Sequence, residues 1–378
     1  MDFQLSKEQE MIQKAAREYS EKAIRPIALD IARENKVPME IFAGLGELEL
    51  LGLPFSEEFG GSGAGYTCYP LALEQIATSS SGVAMTMSVN GLGLSAINVF
   101  GTPEQKKKYM PGPCSGKQIA SFAFTEPGTG SDPKQLTTIA VRDGDTFVIN
   151  GTKRFISAAD VDGPIVVFAR DDEAGYPTAF IVDKNCPGYS VSEPWHKIGM
   201  KGGQLLDVYL KDVRVPTENV LGPRGQGYLV LQIGIAFGKV GVSSCVLGGM
   251  QRALELCITY AKEKSHRDKT ISKFATVQMN IAKIAEKTEA ARWLTYRLGY
   301  LAENMTDLKM FAKEAALTKT FVTENGVDVS RLAVAVHGSY GLMEDYLVES
   351  IYRDMIIGEQ IEGVNDMQRM ITAGILLS

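Results

Sequence analysis

At 378 residues and 45% hydrophobic content, the chain exceeds one compact core of ordinary size and points to two or three domains. A net charge of −6, from 39 basic and 45 acidic residues mixed along the sequence with no basic run longer than Lys106 to Lys108, argues against a nucleic-acid partner. Five scattered cysteines (Cys68, Cys114, Cys186, Cys245, Cys257) without a C-x-x-C pair, and only three histidines, argue against a metal site and for reduced thiols in a reducing, cytoplasmic compartment.

The first element expected is an amphipathic helix, opened by a Ser6/Gln9 capping box and continued by Ile12, Ala15, Ala16 and Tyr19 at helical spacing. It begins so early that no signal or transit peptide is expected. Residues 1–117 read as helices broken by Gly/Pro/Ser loops, notably Gly60 to Gly65. From 118 to 227 the pattern is short and β-like: Ile119–Thr125, Thr137–Arg142, Phe147–Ile149, Arg154–Ile156, Ile165–Ala169, Ala179–Val182 and Leu205–Val213. Asp143-Gly144 and Asn150-Gly151 separate such runs and predict tight hairpins, hence an antiparallel sheet or small barrel. From 228 to 378 helical spacing returns, with Leu247, Met250, Leu254, Cys257 and Ala261 on one stripe and Phe274, Val277, Ile281, Ile284, Thr288 and Ala291 on another. The class is α+β, ordered helical, β, helical. Apolar runs such as Ile165–Ala169 or Met355–Ile357 fall far short of the ~20 residues that span a bilayer, so no membrane segment is expected.

Three places carry potential chemistry. Glu362 lies between Ile361 and Gly363, where partial desolvation raises a carboxyl toward neutrality and makes it a better base; the competing reading is a solvated or salt-bridged residue near a helix end. The stretch Thr125 to Asp132, Gly-rich and following a strand, leaves backbone N–H groups and small hydroxyls open to a ligand, unless it is an ordinary surface turn. Phe155 and Ser157, two apart on one strand face, can stack on a planar ring and bond its edge; core packing with a capping serine is the alternative.

Taken together, three motifs resemble the acyl-CoA dehydrogenase family: Ala123-Phe124-Thr125-Glu126-Pro127-Gly128-Thr129-Gly130-Ser131-Asp132, the segment Asn150 to Ser157, and Tyr352-Arg353-Asp354 with Glu362-Gly363 and Gln368-Arg369. The resemblance runs through nearly the whole chain and implies an N-terminal helical domain, a middle antiparallel β-barrel-like domain and a C-terminal four-helix bundle, assembled as a homotetramer with FAD. It implies that Phe122, Phe124, Thr125, Phe155 and Ser157 line the flavin, and that Arg267, Gly338 and Gly341 occupy the positions of the loops that reach the cofactor's nucleotide end. Ser131, Lys239, Ile361 and Gly363 fall at substrate-side positions, Ser131 toward the pantetheine arm. Glu362 matches the family's base. The position used by members with the base on an earlier helix is Gly238, which excludes that variant. The implied reaction is dehydrogenation of an acyl-CoA to the 2-enoyl-CoA, or the reverse reduction. Glu362 takes the α-proton, FAD N5 accepts the β-hydride, and the forming enolate oxygen meets a ribityl hydroxyl and the N–H of the base residue. An electron-transfer flavoprotein is the implied electron partner.

The departures from the pattern cluster at the nucleotide-binding positions. The usual Arg-x-x-Phe-Gly reads Lys264-Ser265-His266-Arg267-Asp268, the Gln-x-x-Gly-Gly-x-Gly reads Ala335 to Gly341 with Ser339 at the second glycine, and the threonine after Glu-Gly is Val364. An Asp/Arg pair often placed on the CoA side is Ala236 and Lys239, which opens the alternative of an acyl group on a carrier protein. A non-catalytic assembly partner with the same fold is the reading from another class. Ala77 to Pro103, the stretch that matches pocket residues, has no charged side chain and favours a neutral acyl group.

Overall fold

The computed structural model describes residues 4–130, 132 and 135–377. The N-terminal part is helical: α1 (Lys7–Tyr19), α2 (Ala28–Glu34), α3 (Met39–Glu47), α4 (Cys68–Ala77), α5 (Ser81–Phe100), α6 (Pro103–Tyr109) and α7 (Pro111–Cys114). The expected box opens α1, Gln9 N donating to Ser6 Oγ at 3.2 Å and Ser6 N to Gln9 Oε1 at 2.9 Å. A second box, Thr102 with Gln105, opens α6.

The middle part is a sheet of β1 (Ser121–Ala123), β2 (Ile139–Asp143), β3 (Thr146–Ser157), β4 (Pro164–Asp171), β5 (Pro177–Asp183), β6 (Tyr189–Val191), β7 (Leu205–Pro216) and β8 (Val220–Leu221). Its order is β6-β7-β3-β2-β4-β5-β8, with β1 also on β4. Two pairings depart from the antiparallel expectation: β4 runs parallel to both β1 and β2, so the sheet is mixed. Asp143-Gly144 does turn a hairpin, with Asp143 opposite Thr146. Asn150-Gly151 does not. It lies inside the unbroken twelve-residue β3, at a bulge against β7. The cause is local crowding: a β-carbon on Gly151 would stand 2.4 Å from Thr138 Oγ1, and Asn150 exchanges hydrogen bonds of 3.1 and 2.8 Å with Asp212 across the bulge.

The C-terminal part contains α8 (Gly227–Glu263), the small hairpin β9 (Ser265–His266) and β10 (Lys269–Thr270), then α9 (Ala275–Asn304), α10 (Leu308–His337), α11 (Val348–Gly358) and α12 (Asn365–Leu376). The expected stripe on α8 is buried at Leu247, Met250, Cys257 and Ala261. Two helices overturn the reading that nothing is long and apolar enough to cross a membrane: α5 and α8 both are, and 78% and 83% of their apolar windows lie inside the protein. Their composition is that of helices packed on all sides. The largest apolar cluster runs from Ala16 and Phe42 through Phe168 and Ile181 to Val240, Leu298 and Phe311, joining all three parts of the chain.

Candidate active site

Glu362 sits in the turn between α11 and α12 with φ of 53°, followed by Gly363 at 83°. Two successive left-handed residues are costly for a residue with a side chain, and such strain is held only where the surroundings enforce it. Here Lys319 of α10 enforces it: its Nζ donates to Glu359 O at 3.2 Å, Gly363 O at 2.9 Å and Asn365 Oδ1 at 2.7 Å. Gln368 Nε2 adds a 3.4 Å bond to Glu362 O. Glycine suits position 363 because of its left-handed backbone, and a β-carbon there would also fall 2.2 Å from the end of the Gln368 side chain.

The turn aims the Glu362 carboxylate at α8. A β-carbon on Gly238 would stand 2.8 Å from Oε2, with Leu92 Cδ1 of α5 at 3.3 Å from the same point. Enclosure pushes the carboxyl up, Lys239 and Lys319 pull it back, and it comes to rest at about 7. The residue keeps some exposed surface. Its backbone N–H makes no hydrogen bond among the described residues. Ile361 packs against the core of the bundle beside it.

Lys239, at a substrate-side position by the resemblance, makes no side-chain hydrogen bond or ion pair among the described residues. It is 3% exposed on α8. Burial lowers its ammonium to about 8 against the pull of the Glu362 carboxylate.

A second group of residues forms a wall on the sheet. Phe122 and Phe124 pack on Phe168 with ring centroids at 5.0 and 5.8 Å, Phe124 being buried and Phe122 partly open. Phe155 is 51% exposed, meets Trp195 edge-on at 5.5 Å and lies under the Arg154 guanidinium at 6.0 Å. The expected two-residue alternation is broken there, because Phe155 (φ 59°) and Ala158 (φ 52°) both adopt left-handed backbone on either side of Ser157. The hydroxyls of Thr125 and Ser157 make no hydrogen bond among the described residues. Ser131 lies outside the described residues.

Sequence reasoning missed what holds this wall. Lys153, fully buried, donates to Glu126 Oε1 at 2.8 Å and Phe124 O at 3.2 Å, and Arg154 N donates to Thr125 O at 2.7 Å. Glu126 also accepts from Thr137 N, Thr137 Oγ1 and Thr138 N at 2.7, 2.6 and 3.0 Å. Burial alone would raise the Glu126 carboxyl, but Lys153 and these donors bring it down to about 2. Arg154 in turn pairs with Asp207, which also accepts from Trp195 Nε1 at 2.9 Å. The available signal was a lysine at an inward-facing position of a strand and a glutamate inside the Gly-rich motif.

Arg267 forms the β9–β10 turn with φ of 53°. That hairpin is drawn to the Gly338–Gly341 turn by Lys264, whose Nζ lies 4.3 Å from the Tyr340 ring centroid. His337 stacks on Tyr260 at 4.2 Å, and Gly341 approaches the Val334 carbonyl too closely for a side chain. No hydrogen bond, ion pair or ring contact among the described residues joins this group to Phe155 or Glu362.

An exposed aromatic, two uncommitted hydroxyls and the open space around Gly128 and Gly130 suit a planar heterocycle with a polar edge, so the wall fits a flavin ring. A neutral-range carboxylate beside such a ring is the equipment of a flavin-dependent oxidoreductase acting on carbon–carbon single bonds. Family models for the N-terminal, middle and C-terminal domains of acyl-CoA dehydrogenase match residues 6–117, 121–213 and 225–377. The acryloyl-CoA reductase (NADH) of Anaerotignum propionicum is 36% identical over 99% of this chain and 95% of its own. Butyryl-CoA dehydrogenase from Megasphaera elsdenii has a TM-score of 0.96 and 32% identity, with 100% of both chains covered. An acyl-CoA dehydrogenase complexed with FAD from Bacillus anthracis has a TM-score of 0.93 and 30% identity over 99% of this chain and 67% of that one. The chain belongs to the acyl-CoA dehydrogenase family, and FAD is its cofactor.

Proposed function

We propose that the chain catalyses α,β-dehydrogenation of an acyl-CoA thioester, or the reverse reduction, with Glu362 as the group that exchanges the α-proton. FAD, held along Phe122, Phe124, Thr125, Phe155 and Ser157, supplies a two-electron acceptor for the β-hydrogen. The enclosed Glu362 carboxyl at about 7 carries this reading. Near neutral pH it is populated both as the carboxylate that removes a proton and as the acid that returns one. Gly238 leaves room for the Glu362 carboxylate, and the uncommitted N–H of Glu362 is available to the thioester oxygen, where negative charge develops as the proton departs. Lys319 holds the turn so that base and N–H act from fixed places. Ile361 and Gly363 border the acyl group.

An electron-transfer flavoprotein and a homotetrameric assembly complete the reading, the altered Arg267, Gly338 and Gly341 region meeting the nucleotide end of the cofactor. A carrier-protein thioester is the second reading, favoured by Ala236 and by the burial of Lys239, which together leave the CoA side without the usual charge pair. Anaerobic bleaching of the flavin by a panel of CoA thioesters and by loaded carrier separates the two. In Glu362→Gln, FAD stays bound and substrate-driven bleaching falls by several orders of magnitude, because an amide cannot accept the proton. Near-normal bleaching in that variant would place the base elsewhere.

A further inference from the structure

We propose that Lys184 is a positioning residue that, together with Ser121, holds the two strands of the flavin wall in register and so fixes the Ser157 hydroxyl for its contact with FAD. The inference rests on the reading of Ser157 as a residue that meets FAD. Phe122 and Phe124 lie on and just after β1, whereas Phe155 and Ser157 lie on β3. β1 pairs with β4 and not with β3, so no ladder sets the spacing of the two halves of the wall. At one end a backbone bond does so, from Arg154 N to Thr125 O at 2.7 Å. At the other end side chains take over.

Lys184 follows β5 directly and is only 6% exposed. Its Nζ donates to Ile119 O at 2.8 Å, Ala158 O at 2.8 Å and Val161 O at 2.9 Å. Ile119 leads into β1, and Ala158 to Val161 form the turn that follows Ser157. An ammonium has three donors, so each is spent on a carbonyl of the segments that carry the wall. Ser121 on β1 completes the clamp, donating to Ser157 O at 2.8 Å with Ala158 O at 3.3 Å, and Tyr189 donates to Ala159 O at 2.8 Å. The backbone carbonyls around Ser157 are thus held by side chains, while its own hydroxyl is left open. Left-handed Phe155 and Ala158 bracket that hydroxyl, a strain that persists only where the surroundings impose it. Burying an ammonium against neutral oxygens costs more than burying an apolar side chain, so Lys184 contributes directed bonds rather than packing.

The experiment uses the FAD-loaded enzyme as Lys184→Met, Ser121→Ala and Ser157→Ala, and as the doubles that combine each of the first two with the third. Two readouts are independent of turnover: the rate of FAD release on dilution, followed by the fluorescence of free flavin, and the long-wavelength absorption band of the bound flavin. The expected result is that each single substitution speeds release about tenfold and moves the band in the same sense, as the loss of one directed hydrogen bond would do. Once position 157 is alanine, the second substitution adds no more than about twofold, because the clamp acts through the hydroxyl already removed. Full multiplication of the effects in the doubles, or a lowered Tm with release and absorption unchanged, would make the clamp packing and overturn the proposal. Ser121→Ala removes a single oxygen and decides the matter should Lys184→Met not fold. Release and absorption unchanged in Ser157→Ala itself would instead remove the reading on which the proposal rests.

Discussion

Lys319 Nζ donates to the Gly363 carbonyl oxygen at 2.9 Å, so a side chain in the middle of α10 holds the turn that carries Glu362 in its left-handed backbone. Lys319→Met keeps the length of the side chain and abandons three acceptors in a buried place. The expected cost is about 3 kcal/mol of stability. Flavin bleaching should fall at least tenfold under conditions where the variant remains folded, since a base displaced by an ångström loses its alignment. Thermal unfolding and single-turnover rates measured together check this; an unchanged rate in the folded variant would show that the turn holds itself.

Gly238→Ala separates catalysis from stability. Replacing a helical glycine favours the helix by about 0.5–1 kcal/mol. The new methyl, however, would lie 2.8 Å from Glu362 Oε2 and 3.3 Å from Leu92 Cδ1. The carboxylate is the freer of the two and must swing away. We expect Tm to hold or rise while bleaching drops tenfold or more, and a normal rate would mean that the carboxylate works from another rotamer.

The Glu126–Lys153 pair predicts acid behaviour. The folded Glu126 carboxyl, at about 2, lies below its ordinary value of 4.5. Its contribution to stability is complete above the ordinary value and is lost as pH falls through about 2. Lys153→Met leaves the carboxylate buried without its cation, which costs about 3–5 kcal/mol and raises the midpoint of acid unfolding. Circular dichroism against pH checks it, and an unshifted midpoint would show that the threonine donors suffice alone.

Local features were legible in the sequence where their cause is local. The Ser6/Gln9 box and the Asp143-Gly144 turn depend on residues a few positions apart, and both form as expected. Asn150-Gly151 carries the same dipeptide cue but becomes a bulge, because Thr138, just before β2, crowds it. Parallel pairing of β1 with β4 depends on long connections and leaves no mark in either strand. The enclosure of Glu362 was legible through its apolar and glycine neighbours, whereas the Glu126–Lys153 clamp joins residues far apart in the chain. The apolar character of α5 and α8 was visible in composition, yet only burial shows what it serves.

The glycines of α8 have a consequence for how the molecule comes apart. At Gly234, Gly238, Gly241, Gly248 and Gly249 this helix gives up side chains so that Phe122, Glu362, Ser88, Ala77 and Met355 can come close. Each costs about 1 kcal/mol of intrinsic helix preference, so α8 cannot stand without neighbours drawn from both ends of the chain. The three segments are therefore not three independent folding units: a fragment from 228 onward should collapse without ordering, and calorimetry of the whole chain should show a single cooperative transition.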